Sequence, residues 1–214
     1  MTSPDSMPPN PRSTVIGLLG GVASGKSAVA HFLAGKLGVV ISADGIAGEV
    51  LALDETAAWL RLEFGADVLT ASGEPDREAL GAVIFSDSEA RERLESWIHP
   101  RVRERIAEGL EQARANQRTP IVLDVPLLLE HEDAHGLTGE CDFLVFIETD
   151  AKDRERRAQE HRGWSAGEVK RREQVQIPLS EKRNRAQHVI ENKAGLAELE
   201  ARVHEVLEAE QLPY

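Results

Sequence analysis

Gly20-Gly21-Val22-Ala23-Ser24-Gly25-Lys26-Ser27 fits the phosphate-binding pattern G-x-x-x-x-G-K-[ST] without a mismatch. The glycines let the backbone curl so that successive N–H groups face one anion, Lys26 can reach β- and γ-phosphates, and Ser27 can ligand Mg²⁺. Such a loop works only between a strand and the N-terminus of a helix. Both flanks suit it. Thr14-Val15-Ile16-Gly17-Leu18-Leu19 is a short apolar run, and Ser27 to Leu37 sets Val29, Phe32, Leu33 and Leu37 on one helical face, with Gly38 as the stop. A nucleoside triphosphate is the ligand this implies; the competing reading is a strand-to-helix turn that holds nothing.

Four further runs read as buried parallel strands: Val39-Val40-Ile41, Pro120-Ile121-Val122-Leu123, Phe143-Leu144-Val145-Phe146-Ile147 and His188-Val189-Ile190. Helical patterns separate them, so the expected fold is α/β, a three-layer doubly wound parallel five-stranded sheet. Ligands of such sheets sit at the carboxyl ends of the strands, which is where Gly20 to Ser27, Asp44, Asp124 and the segment after Glu148 fall.

With 214 residues the chain can hold one sizeable core. Its 37 acidic and 25 basic residues give a net charge of −12, which argues against a nucleic-acid partner bound through phosphate neutralisation. Eleven of the basic residues nevertheless fall between Lys152 and Arg185, a local cationic patch suited to a small anion. Cys141 is the single cysteine, read as a small buried hydrophobe in a reducing cytoplasm. Residues 1–12 are rich in Pro and Ser and read as a disordered tail without a signal-peptide pattern, and no run of 18 apolar residues suggests a membrane span.

Two stretches exceed an ordinary crossover. Gly45 to Thr119 offers more than seventy residues of helical pattern for a substrate-covering subdomain, and Thr149 to Gln187 is densely charged, as a mobile lid over phosphates would be. The plainer reading of its Arg154, Arg156, Arg157, Arg162, Arg171 and Arg172 is a solvated helix face. Asp124 closes an apolar strand in the manner of an acid that helps hold Mg²⁺. Asp44 follows the second strand, where an acceptor would meet the γ-phosphate; its competing role is an N-cap.

An ordered set of residues runs from about Val15 to Asn192. It comprises the phosphate loop, Ala43-Asp44, Asp76-Arg77, Leu80, Ile84-Phe85, His99-Pro100 and Val102, then Asp124-Val125-Pro126-Leu127-Leu128-Leu129-Glu130. Arg172, Gln176-Ile177-Pro178-Leu179, Lys182, Ala186, Val189-Ile190 and Asn192 complete it. This set resembles the dephospho-coenzyme A kinase family. The resemblance implies a P-loop, nucleotide-kinase-like fold and ATP-dependent phosphorylation of the ribose 3′-hydroxyl of dephospho-coenzyme A with Mg²⁺. It also implies a cytoplasmic protein, monomeric or a small homo-oligomer, with ATP and dephospho-coenzyme A as partners and neither nucleic acid nor membrane. Residues 13–214 then form a single domain, with core segments 13–44, 120–150 and 187–214, a helical acceptor subdomain over about 45–119 and a lid over about 151–186.

By the same resemblance Gly21, Val22, Ala23, Ser24, Gly25, Lys26, Ser27 and Ala28 bind ATP, and Ser27 and Asp124 hold the metal. Asp44, Lys26 and Arg162 are catalytic, and Asp44, Arg77, His99, Pro126 and Leu127 receive the acceptor. A gap-free reading places His161 in the column of the family's lid arginine; Arg157 and Arg162 both lie near it, and the role is carried to Arg162. The chain departs from the family pattern at Leu19, where Thr is common, at Ala23, where Gly is, and at Ser42 and Gln187, each in place of an Asp. His99 is read first as capping a helix against Pro100, Asp76 and Arg77 as a local ion pair, and Trp164 as lid packing. A kinase for another nucleoside or nucleotide is the nearest alternative. A guanine-nucleotide switch is farther off, because Asn192-Lys193-Ala194-Gly195 has Gly where N-K-x-D needs Asp.

Overall fold

The computed structural model describes residues 13–193 and 195–214; the tail expected over 1–12 lies outside the described residues. Strands β1 (Val15–Gly20), β2 (Val39–Ser42), β3 (Ile121–Asp124), β4 (Phe143–Glu148) and β5 (His188–Glu191) form one parallel sheet in the order β2-β3-β1-β4-β5. Each of the five expected runs is a strand, and each strand ends one residue beyond its apolar run, on Gly20, Ser42, Asp124, Glu148 or Glu191. The ladder is a backbone property, so a polar or glycine residue continues it where apolarity has already stopped.

Ten helices are described: α1 (Lys26–Ala34), α2 (Ala43–Leu51), α3 (Asp54–Phe64), α4 (Arg77–Ser86), α5 (Ser88–Ala115), α6 (Glu132–His135), α7 (Ala151–Arg162), α8 (Glu168–Glu173), α9 (Leu179–Arg185) and α10 (Leu196–Ala209). The described chain divides into two compact units, Ser42–Gly109 and the remainder. No helix among the described residues is long and apolar enough to cross a membrane.

In the sheet unit, Ile16 and Leu18 of β1 face α1 and α10, where Val29, Leu33, Val203 and Leu207 close the core. Each such side chain contributes about 1.5–3 kcal/mol when fully buried. Gly17 points to the other face, where an added Cβ would stand 2.5 Å from Leu144 Cδ2 and 2.8 Å from Cys141 Sγ, so any larger residue would force those side chains to shift. Cys141 is half-buried; burial, with Asp142 and Glu140 beside it, pushes its thiol up to about 12, which makes it an inert packing group.

The first helix is shorter than its pattern predicts. It ends at Ala34 because Gly35 takes φ +52° and turns the chain, leaving Leu37 56% exposed rather than on the buried face. Gly38 is not the stop; it lets the backbone pass Pro120, whose carbonyl an added Cβ would approach to 2.3 Å.

The helical unit is centred on Leu60, Val68 and Leu80. Trp59 stacks on Trp97 at 4.7 Å, and the Arg101 guanidinium lies 3.5 Å from the Trp97 ring centre. Asp76 caps α4 by accepting from the N–H groups of Glu78 and Ala79 at 3.0 and 3.1 Å, and this replaces the expected ion pair with Arg77. Helix α5 runs straight through Pro100, so there is no helix end for His99 to cap, and His99 is exposed. The proline lacks one N–H donor and its ring crowds the carbonyl of Ser96, a local cost of about 3 kcal/mol that the 28-residue helix nevertheless sustains.

Candidate phosphoryl-transfer site

The loop after β1 needs left-handed or glycine-only backbone at three places: Gly20 has φ +156°, Ala23 +58° and Gly25 +90°. Gly25 occupies the N-cap of α1, which has no side-chain cap and no acidic residue in its first turn. The first-turn amides are therefore left for an external anion, with the helix dipole favouring negative charge there. Ala28 follows in that first turn and is exposed.

Lys26 Nζ donates to the carbonyls of Gly20 and Gly21 at 3.3 and 3.0 Å. Burial lowers its pKa to about 8; Asp124 and Glu173 work against that shift, while the cations of Lys182 and Arg162 add to it. Ser27 Oγ donates to Asp124 Oδ2 at 2.7 Å. These two residues meet because β1 and β3 are neighbours with Gly17 opposite Leu123, which brings both carboxyl ends to one edge of the sheet. A hydroxyl beside a carboxylate is an all-oxygen pair suited to a hard cation such as Mg²⁺. The described residues contain no cluster of three or more His, Cys, Asp or Glu able to hold a metal.

Behind the loop, the Ser24 carbonyl accepts from Thr149 Oγ1 at 3.0 Å, Arg157 Nη1 at 3.2 Å and Asn192 Nδ2 at 2.8 Å. Arg157 also donates to the Asn192 backbone carbonyl at 3.1 Å. Gly25 has no Cβ because one would stand 2.4 Å from Asn192 Nδ2. The amide of Val22 donates to Glu173 Oε1 at 2.9 Å, and Arg154 pairs with the same carboxylate. Sequence reading assigned none of Thr149, Asn192 or Glu173 to the site; it took Arg154 only as a member of a charged run, and it weighed Arg157 as a lid arginine before carrying that role to Arg162.

The remaining basic residues of this stretch divide. Arg156 pairs with Asp153 and Glu160, and Arg171 with Glu168, with both guanidinium groups exposed as on a solvated helix face. Arg162 is exposed and lies 5.0 Å from the Trp164 ring centre, with Arg172 at 4.1 Å from the same ring, so Trp164 carries two guanidinium groups rather than core packing. Lys182 is buried against Glu130 at 2.6 Å.

After β3, Pro126 is exposed and half-buried Leu127 sits at φ +57°, an uncommon backbone for a bulky residue. In the helical unit, Asp44 lies in the first turn of α2 and is exposed; Ser42 supplies the cap, accepting from Gly45 N at 3.3 Å. The capping role considered for Asp44 is thus filled, and Ser42 does locally what an Asp would do there. A Cβ on Gly48 would lie 3.2 Å from Arg77 Nη2, which places Arg77 alongside α2. Gln187 answers the last departure: its Oε1 accepts from Leu144 N at 2.8 Å, a bond a carboxylate could equally make.

The family model for dephospho-CoA kinase matches residues 14–198. Among similar proteins, the dephospho-CoA kinase of Thermobifida fusca is 38% identical over 194 residues, covering 90% of this chain and 94% of that protein. The dephospho-CoA kinase of Geobacter sulfurreducens is 37% identical over 194 residues, 90% of this chain and 96% of that protein. The crystal structure of TT1252 from Thermus thermophilus superposes with a TM-score of 0.75 at 32% identity, covering 94% of this chain and all of the other. The dephospho-CoA kinase from Campylobacter jejuni shares the fold, with a TM-score of 0.67 at 24% identity over 92% of this chain and 97% of its own. The phosphate loop, the Ser27–Asp124 pair and the match over nearly the whole length lead to one conclusion: the chain belongs to the dephospho-CoA kinase family.

Proposed function

We propose that this protein transfers the γ-phosphoryl group of ATP to the ribose 3′-hydroxyl of dephospho-coenzyme A, yielding coenzyme A and ADP in the cytoplasm. The reading is carried by the uncapped start of α1 beside Lys26 and the Ser27–Asp124 pair, in a chain of this family. The loop from Gly21 to Ala28 wraps the triphosphate, with the first-turn amides of α1 and the Lys26 ammonium as its donors while the Val22 amide stays on Glu173. Ser27 and Asp124 would hold Mg²⁺, which would supply neutralisation of phosphate charge.

In the transfer the bond from the γ-phosphorus to the β-bridging oxygen breaks as the bond to the acceptor 3′-oxygen forms, and the hydroxyl proton is released late. Asp44, exposed and not used as a cap, orients that hydroxyl and receives its proton. Arg162, whose guanidinium has no carboxylate partner among the described residues, offsets charge on the transferring group. Arg77, His99, Pro126 and Leu127 are assigned to the acceptor. A coupled ADP-release assay with Mg²⁺, ATP and dephospho-coenzyme A tests the reading. Absence of turnover overturns the substrate assignment. Replacement Asp44→Ala is expected to lower kcat by about 10²-fold or more, and unchanged turnover removes Asp44 from the reaction.

A further inference from the structure

We infer that Glu173, held by Arg154, is a positioning residue for the phosphate loop, and that its task is to keep Ala23 in the left-handed conformation the loop requires. The inference rests on the loop being the nucleotide site and concerns how this chain maintains it. Ala23 is the only residue of Gly20 to Ser27 that takes positive φ without being glycine, at +58°. A Cβ makes that conformation unfavourable, so the loop left to itself relaxes toward ordinary backbone and the amide cradle opens.

The residues on either side of Ala23 are gripped from outside, each at the peptide group one step beyond those that flank Ala23. On the N-terminal side, Val22 N donates to Glu173 Oε1 at 2.9 Å. On the C-terminal side, the Ser24 carbonyl accepts from Thr149 Oγ1 at 3.0 Å. One side chain joins the two grips: Arg154 pairs through Nη1 with Glu173 and donates from Nε to the Thr149 carbonyl at 3.1 Å. The path runs Val22, Glu173, Arg154, Thr149, Ser24 and closes around Ala23. The pair is enclosed, with Arg154 6% and Glu173 18% exposed, so water competes weakly for its bonds. Gly21 admits it, since a Cβ there would stand 2.6 Å from Arg154 Nη1 and 2.7 Å from Glu173 Oε1.

Because the clamp exists to hold an alanine where a glycine would need no holding, its value depends on Ala23. Glu173→Ala alone leaves a buried guanidinium unpaired, so the cleaner test replaces both charges by apolar groups, Arg154→Met with Glu173→Leu. The double variant is made in the parent and in the Ala23→Gly background. ATP affinity is measured by calorimetry, and exchange of the Val22 amide by hydrogen–deuterium exchange.

In the parent background the clamp's removal is expected to weaken ATP binding about tenfold and to speed Val22 exchange by a similar factor. In the Ala23→Gly background the loss of affinity shrinks to about twofold or less. Equal weakening in both backgrounds, or no weakening in the parent, overturns the inference; a general structural defect gives the first of these. Failure of the nucleotide site itself looks different. The parent then binds no ATP, while Val22 exchange still reports whether Glu173 holds the loop.

Discussion

Lys182→Met removes the cation from the most enclosed ion pair among the described residues. Lys182 Nζ lies 2.6 Å from Glu130 Oε1, with side-chain exposures of 4% and 10%, and it also donates to Gln176 Oε1 at 3.0 Å. The same Glu130 oxygen accepts from Ile177 N at 3.2 Å, so the pair ties α9 and the turn before it to the loop that follows β3. Removing one partner of a buried pair costs about 3–5 kcal/mol, because the other charge stays buried without compensation. Glu130 keeps its Ile177 amide and some contact with solvent, which puts the loss near about 3 kcal/mol, at the lower end of that range.

For a chain of this size each kcal/mol moves Tm by about 2–4 °C, so calorimetry should show the sheet unit melting about 6–12 °C lower. Replacing both charges, Lys182→Met with Glu130→Leu, removes the stranded carboxylate and should recover most of the loss. A single variant within about 2 °C of the parent, or a double variant no better than the single, refutes the reasoning.

Two more consequences can be measured directly. Lys26 loses its proton near pH 8 in the ligand-free protein, so kcat/KM for ATP should be level below that pH and fall above it, while bound phosphates hold the proton and move the kcat limb higher. Because the unfolded lysine titrates at 10.5, the unfolded chain binds more protons between pH 8 and 10.5, and this group's contribution to stability rises with pH across that window. A kcat/KM that stays flat to about pH 9.5 excludes the burial account. Ser42→Ala removes the N-cap bond of α2 and should lower the urea-unfolding free energy by about 1 kcal/mol, whereas Ser42→Asp keeps the acceptor and should cost little. Equal stabilities for the alanine and aspartate variants contradict that role.

The sheet was legible in the sequence because its signal is local. Five short apolar runs announce five strands, and a glycine-rich turn between an apolar run and a helical pattern announces the loop. The first helix was read too long because a 3.6-residue period was carried through Gly35, and only its φ of +52° shows that the chain has already turned. The supports of the loop were not legible for a different reason. Helix α7 buries Arg154 and Ala158 and turns Arg157 inward, positions i, i+4 and i+3, an amphipathic stripe in ordinary helical phase. Two of its three members are arginines, so a search for apolar periodicity sees only a charged helix, and Arg156 on the opposite side looks the same in sequence. Their partners lie far off in the chain, Ser24 from Arg157 by 133 residues and Val22 from Glu173 by 151, distances at which no local pattern carries information.

The three donors on the Ser24 carbonyl come from separate parts of the chain: the residue after β4, helix α7 and the residue after β5. One consequence is thermodynamic. Fixing a residue's backbone costs about 1–2 kcal/mol of entropy, and here that ordering is accomplished during folding, by protein donors, before a nucleotide arrives. Binding energy from the phosphates is then left for affinity and for the transfer step. The signature to look for is calorimetric. Nucleotide association should carry a smaller unfavourable entropy than in an Asn192→Ala variant, in which the same phosphates must also organise the loop.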